Sequence, residues 1–434
     1  MVVLFLPLSK GNLLEMLPIA TSIPNAVFCL DKKVAPLQTL IGDIPAIASD
    51  GSPLEINQTP KVESRNPATP KSTLHRFLPS LAKGFLQMRS ECRRAKKLLE
   101  KHKDISLIVV SGDRSIGIET AVIAQANKNN IPSLIVPFAM SFREAAAEPR
   151  LRSGKRGGQY AVSNPLRYLL RFIFPSWIFV YKNTPLFFQP PYTALAAKLL
   201  GIMPKAPWII GGGAATKMAV ESEALRNQLL EQGMSADKMI VTGKPSLDDI
   251  AAQLTTENTH TEKVILCSVP NFGEHDLLPW DKHKEEMQFL FKTLAATKAK
   301  VILNLHPRSD RSWYQPLADE AGLQISDERI YALLPKADIV ISSYSSVIAQ
   351  AVAMAKPSVV IDFYGFDYPV YDGAPGTEIV KDKKKLLPHF ELLLHDDTYY
   401  SSCVSEQKQR GSEWALLDGK STERIVSLIT ELTA

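Results

Sequence analysis

The stretch DIVISSYSSVIAQAVAMAKPSVVIDF, Asp338 to Phe363, decides the fold. Ile339 to Ser342 is a short apolar run rich in β-branched residues, which reads as a buried strand. Ser342 to Ser346 is a hydroxyl-rich turn of the kind that caps a helix. The apolar stretch Ser346 to Ala355 then reads as that helix. Lys356-Pro357 closes it and Ser358 to Phe363 begins a second strand. Strand, helix and strand in this order are one βαβ unit of a parallel sheet.

The same alternation runs outward from this unit in both directions. In the second half, strands are predicted at Lys263–Ser268 and Lys300–Leu305, with a helix from Trp313. In the first half they are predicted at Val2–Leu8, Ala26–Leu30, Ile105–Ser111, Pro132–Pro137 and Met239–Thr242. Helices are predicted at about Leu74–Lys103, Ile116–Asn129 and Ala214–Gln232, the last closed by Gly233. Asp50–Ser72, rich in Pro, Ser, Thr and Asn, reads as an exposed loop. A chain of 434 residues exceeds what one core usually holds. The polar stretch Thr255–Glu262 gives the boundary between an acceptor domain, 1–250, and a nucleotide-donor domain, 251–434, with the last helix packing back on the first domain. Two such α/β domains place the carboxyl ends of their sheets around an interdomain cleft suited to a ligand with phosphates.

Five strand ends carry candidate chemistry, three in the second domain and two in the first. His306, Pro307 and Arg308 follow a strand directly, where an imidazole and a guanidinium meet phosphate oxygens. Ser343, Ser345 and Ser346 converge at a helix N-terminus, as a phosphate cradle or as plain caps. Asn271, Gly273, Glu274 and His275 occupy the loop after the first strand of the second domain. In the first domain, Ser111-Gly112-Asp113-Arg114 lies between strand and helix, so Asp113 is either a site carboxylate or a helix cap. Beyond Pro137, Ser141, Phe142, Arg143, Glu144 and Glu148 form a dense polar set, with Glu144 the general-base candidate. Gly211-Gly212-Gly213 has no phosphate-fingerprint spacing, and neither a GxGxxG turn nor a P-loop is present.

Charge and cysteine usage narrow the class. The formal net charge is +5, and Cys29, Cys92, Cys267 and Cys403 lie far apart with no CxxC pair. No cysteine or histidine group has metal-ligand spacing, so neither a bound metal nor a resident cofactor is expected. Met1–Leu8 lacks a basic n-region and reads as a strand rather than a leader. Between Arg143 and Lys205 many basic residues face only Glu144 and Glu148. Tyr168–Tyr181 within this region is apolar but interrupted by Arg171 and Pro175. It reads either as peripheral membrane contact through 165–181 or as a buried strand at Trp177–Tyr181. No recognition motif supports nucleic-acid binding.

Val241-Thr242-Gly243-Lys244-Pro245, Asp248, Lys356-Pro357 and Asp418-Gly419-Lys420 with Glu423-Arg424-Ile425 resemble the GT-B superfamily that includes non-hydrolysing UDP-GlcNAc 2-epimerases. Gly112-Asp113 matches their Gly-Asp dipeptide. His306-Pro307 with Ser345-Ser346 looks more like bacterial sialyltransferases, capsule Kdo transferases and CDP-glycerol glycerophosphotransferases, in which such motifs hold the donor's nucleotide and phosphate. After Ile131-Pro132 stands Leu134–Phe138, where the epimerases carry a His-Val-Glu-Ala-Gly run, and this departure argues against epimerase activity. The resemblance implies a cytoplasmic glycosyltransferase, at the inner face of the cytoplasmic membrane, acting in surface polysaccharide or glycolipid assembly. Its substrates would be a CMP- or UDP-type sugar donor and a carbohydrate or lipid-linked acceptor. Glu144 or Asp113 would act as base, and His306, Pro307, Arg308, Ser343, Ser345, Ser346, Asn271 and Gly273 would hold the donor. The alternatives are an epimerase-like isomerase and a nucleotide-sugar-binding protein without turnover.

Overall fold

The computed structural model describes residues 2–31, 34–54, 73–138, 142–152, 160–162, 165–251 and 262–434. Most of the Asp50–Ser72 loop, the boundary stretch Thr255–Glu262 apart from its last residue, and Ser141 lie outside the described residues. The chain forms two compact units. Unit 1 comprises Met1–Val220, Leu229–Ser246 and Thr422–Ala434, and unit 2 comprises Glu221–Gln228 and Leu247–Ser421.

Unit 1 contains β1 (Val2–Leu6), β2 (Ala26–Leu30), β3 (Ala46–Ala48), β4 (Ile105–Val110), β5 (Ser133–Ile135), β6 (Ile178–Tyr181), β7 (Thr184–Phe187), β8 (Lys217–Val220) and β9 (Met239–Val241). Seven of these make one parallel sheet in the order β3-β2-β1-β4-β5-β8-β9. Its strands are near-continuous Val, Ile and Leu runs because both faces of a parallel sheet are covered. β1 stops at Leu6 rather than Leu8, since Pro7 has no N–H to give to the ladder. The helix Ser421–Thr433 closes this core, with Ile425, Leu428 and Ile429 on one stripe against Val3, Phe5 and Leu13.

The helix expected over Ala214–Gln232 is instead a strand followed by a shorter helix, Glu223–Glu231. Met218, Ala219 and Val220 are buried between β5 and β9. Sheet pairing on both sides overrides the local helical pattern there.

β6 and β7 form an antiparallel hairpin, with Tyr181 opposite Thr184. Lys182 and Asn183 between them both have positive φ, 45° and 61°, the geometry of a two-residue hairpin turn whose twist matches the strands. Trp177 is fully buried but stands in a short helical turn before the strand, and of Ile178–Tyr181 only Tyr181 is buried while Val180 is 62% exposed, so the strand expected to be buried at Trp177–Tyr181 is half-exposed. The preceding helix is Pro165–Ile173. It leaves Tyr168, Leu169, Phe172 and Ile173 exposed by 51%, 59%, 65% and 48%. Among the described residues no helix is long and apolar enough to cross a membrane.

Unit 2 contains β10 (Val264–Ser268), β11 (Lys300–Asn304), β12 (Gln324–Ser326), β13 (Ile339–Ser342), β14 (Ser358–Ile361) and β15 (Thr377–Val380). They form a parallel sheet in the order β12-β11-β10-β13-β14-β15. The order reverses direction between β10 and β13, and in unit 1 between β1 and β4. Loops at the carboxyl ends of such neighbouring strands diverge and leave a crevice, the usual ligand position in open α/β sheets.

Candidate functional site

In unit 2 the carboxyl ends of β11, β10 and β13, three adjacent strands, bring together His306 and Arg308, Asn271 to His275, and Ser343 to Ser346. Each strand end is pinned from below. Asn304 donates from Nδ2 to the Glu328 carbonyl at 2.9 Å, and Ser342 donates from Oγ to the Ser268 carbonyl at 2.9 Å.

The turn after β11 is closed by the Ser309 amide donating to the His306 carbonyl at 2.8 Å. Within it, the Arg308 amide donates to His306 Nδ1 at 3.1 Å. An Nδ1 that accepts leaves the ring proton on Nε2, so neutral His306 presents an N–H donor. Desolvation lowers its pKa below the ordinary histidine value, followed by the charges of His275 and Arg308, with Glu274 opposing. The His275 ring packs edge-on to it, with centroids 6.2 Å apart. An oxyanion beside Nε2 would favour the imidazolium and raise this pKa. Affinity for a phosphate ligand should therefore increase as pH falls below about 6.5, the ordinary histidine pKa. NMR titration of His306 with and without nucleotide diphosphate checks this, and an unchanged titration would remove His306 from the anion's neighbours.

The turn after β13 leads into the helix Ser346–Ala353. Ser345 caps it through Oγ, which accepts from the Val347 amide, and Tyr371 donates its hydroxyl to the Ser345 carbonyl. Capping therefore accounts for the Ser345 side chain but not for Ser343. Ser343 is only 5% exposed, and its Oγ has no hydrogen-bond partner. Asn271 Nδ2, on the loop after the neighbouring strand, is likewise buried without a partner. Buried polar atoms are paired in most proteins, so two orphans at one sheet edge mark places for ligand atoms.

Two further groups support the site and were not legible in sequence. The Tyr314 hydroxyl donates to the Glu274 carboxylate at 2.9 and 3.1 Å and lies 2.9 Å from His283 Nε2. A hydroxyl spending its proton on a carboxylate can only accept from the histidine, which puts the His283 proton on Nε2. The chain His283–Tyr314–Glu274 thereby fixes the carboxylate near His306. Asp362, at the end of β14, accepts from the Phe366 and Asp367 amides and from the Tyr344 hydroxyl at 3.0 Å, holding Tyr344 beside the serines. Gly273 has a packing role: a Cβ there would lie 2.9 Å from the Trp280 ring, so only glycine lets that indole close on the loop.

In unit 1 the two acid candidates occupy different surroundings. Asp113 is 1% exposed. Its carboxylate accepts from the Gly211 amide at 3.0 Å and the Ala215 amide at 3.3 Å, and pairs with Lys238 at 3.3 Å. It caps no helix and faces no solvent; it organises the loop 211–215. The glycine triplet now has its reason, because a Cβ on Gly213 would fall 2.2 Å from the Asp113 carbonyl. Glu144 opens the helix Arg143–Arg152 and pairs with Arg143 at 2.9 Å. Sequence reading passed over Glu119, which accepts from the Ser111 amide and hydroxyl, both at 2.7 Å. Burial pushes its carboxyl up to about 7, with those hydrogen bonds opposing.

Residues 221–431 match the family model of CDP-Glycerol:Poly(glycerophosphate) glycerophosphotransferase, so the chain carries a transferase domain. Over 99% of its length the chain is similar in structure to UDP-GlcNAc 2-epimerase from Neisseria meningitidis bound to UDP-GlcNAc, with 14% identity, 100% of that chain covered and a TM-score of 0.54. It is similar over the same share to the S. aureus MnaA–UDP structure, with 13% identity, 96% of that chain covered and a TM-score of 0.52. At these identities the likeness is one of fold, and the fold is GT-B. No curated protein matches the sequence.

Proposed function

We propose that unit 2 holds a nucleotide-linked donor, of the CDP-alcohol or nucleotide-sugar kind, and that the protein transfers the activated group to an acceptor hydroxyl in surface-polymer assembly. The observation that carries this reading is the set of unspent donors at one sheet edge: the buried Ser343 hydroxyl, Asn271 Nδ2 and His306 Nε2–H. The match of residues 221–431 to a glycerophosphotransferase family supports the same reaction class.

In this reading the donor's phosphates lie at the N-terminus of Ser346–Ala353, where backbone N–H groups and the helix dipole favour negative charge. The acceptor oxygen attacks the activated centre, and the bond from that centre to the nucleotide's phosphate oxygen breaks. His306 Nε2–H and Arg308 stabilise the charge that develops on the leaving phosphate. The acceptor proton needs a base. Of the two acids singled out in unit 1, Asp113 is committed to its loop, which leaves Glu144. The exposed apolar face of Pro165–Ile173, with Arg171 stacked at 4.4 Å on Tyr168, suits a headgroup boundary. Peripheral membrane contact there predicts co-flotation with anionic liposomes, reduced by Phe172→Asp; equal flotation of both proteins would discard it.

Thermal-shift titration with CDP-glycerol, CDP, UDP and UDP-GlcNAc tests the donor site. At a hundredfold excess over Kd a ligand of the native state adds about 2.7 kcal/mol, a shift of several degrees. Stabilisation by one nucleotide class, lost in Ser343→Val, is the expected result. No shift with any nucleotide would sink the proposal, and turnover of UDP-GlcNAc without acceptor would return the isomerase reading.

A further inference from the structure

His283 and Tyr314 are fully buried side chains that face one another from the helices Trp280–Ala296 and Arg311–Ala321. His283 Nε2 lies 2.9 Å from the Tyr314 hydroxyl, which donates to the Glu274 carboxylate. The same His283 nitrogen is 4.0 Å from that carboxylate.

Packing alone does not call for these polar atoms. The His283 ring stacks on Trp313 at 5.1 Å, 10° from parallel, and Trp280 and Tyr314 meet it edge-on. Apolar rings of similar size would fill this space. Keeping the histidine costs free energy, because its Nδ1 is buried with no hydrogen-bond partner among the described residues. Burial lowers its pKa, with Glu274 and Glu286 opposing, so the ring stays neutral and its one proton serves Tyr314. Glu286 is itself engaged by Lys282 at 3.1 Å and Lys383 at 2.6 Å. Burial, and then the Glu274 charge, hold the Tyr314 hydroxyl above the ordinary tyrosine range, so it remains a donor. The pair therefore has one polar output, the orientation of the Glu274 carboxylate.

That orientation bears on His306. Burial disfavours the His306 imidazolium most, the charges of His275 and Arg308 add to this, and Glu274 opposes all three. We infer that Tyr314 and His283 are positioning residues for His306: they aim the Glu274 carboxylate so that it serves as counter-charge to the imidazolium while the leaving phosphate gains charge. A carboxylate free to turn into water would be screened and would favour the protonated ring less. That this charge is needed during transfer rests on the donor reading; the hold on His306 does not.

NMR titration of His306 in the full chain, without ligand, tests the inference. Glu274→Gln and Tyr314→Phe should each move the His306 midpoint to lower pH, by about half a pH unit or more, because a nearby negative charge is lost or turned away. Glu274→Gln leaves the buried pair in place, so an unmoved midpoint in that variant alone overturns the inference, whether or not Tyr314→Phe folds. A midpoint moved by Glu274→Gln but not by Tyr314→Phe would leave Glu274 acting alone and overturn the role of the pair. A purely structural pair would lower the melting temperature of Tyr314→Phe and leave the midpoint where it was. In transfer assays Tyr314→Phe should lower kcat severalfold and keep KM for the donor near wild type. A midpoint that moves in both variants, with no CDP binding to any form, would keep the positioning role and refute the donor reading instead.

Discussion

Asp113→Ala should lower the stability of the protein by about 3–5 kcal/mol, the usual result of removing one partner from a buried ion pair. The change strips the Gly211 and Ala215 amides of their acceptor and leaves Lys238 facing only the Gly211 and Gly213 carbonyls. The alanine methyl also fills less space than the carboxylate that Gly213 closes around. Asp113→Asn should cost less. Its amide oxygen still accepts from one backbone N–H, while its NH2 group meets a second donor and the ion pair is gone. Urea unfolding followed through the buried Trp177 and Trp208 of unit 1 reads both variants. Since a domain's whole stability is about 5–15 kcal/mol, the alanine variant should unfold at clearly lower urea. Wild-type stability together with lost transfer would show that Asp113 does chemistry after all.

His306→Ala should lower kcat for transfer by about 10²–10³-fold, the range for one donor to a developing oxyanion. The Arg308 amide loses its Nδ1 acceptor at the same time, so the turn that aims Arg308 loosens. His306→Gln separates the two effects. A glutamine restores a donor of similar reach but not the ring acceptor, and should recover part of the rate if charge stabilisation dominates. Steady-state kinetics with a fixed acceptor checks both variants. A fall confined to KM would assign His306 to ground-state binding alone, and an unchanged rate would remove it from the site.

The parts of this protein that local pattern determines were legible in its sequence. Ile339–Ser342 and the start of its helix at Ser346 fall where the β-branched run and the serine cap place them. His306 and Arg308 fall at the sheet edge, as expected, because a strand that ends abruptly must put its next side chains there. What escaped depends on partners distant in the chain. His283 and Tyr314 lie 31 residues apart, and Tyr314 reaches Glu274, which the sequence did single out, across 40 residues, so their link exists only once the elements have packed. β8 was misread because KMAV alone cannot declare that a strand waits on either side of it. The glycine triplet looked like a failed phosphate motif until Asp113, 98 residues from Gly211, was seen inside it.

The helix Ser421–Thr433 supplies Ile425, Leu428 and Ile429 to a core otherwise built from the first half of the chain. On a ribosome, unit 1 therefore cannot finish its core when its own strands have emerged. It must wait while unit 2 is synthesised, on the order of ten seconds or more at about 5–20 residues per second. During that interval the stripe that will receive Ile425 is open to water, and a nascent-chain chaperone has something to bind. A stop codon that removed only this helix would leave unit 2 nearly whole and would strand unit 1 in that waiting state.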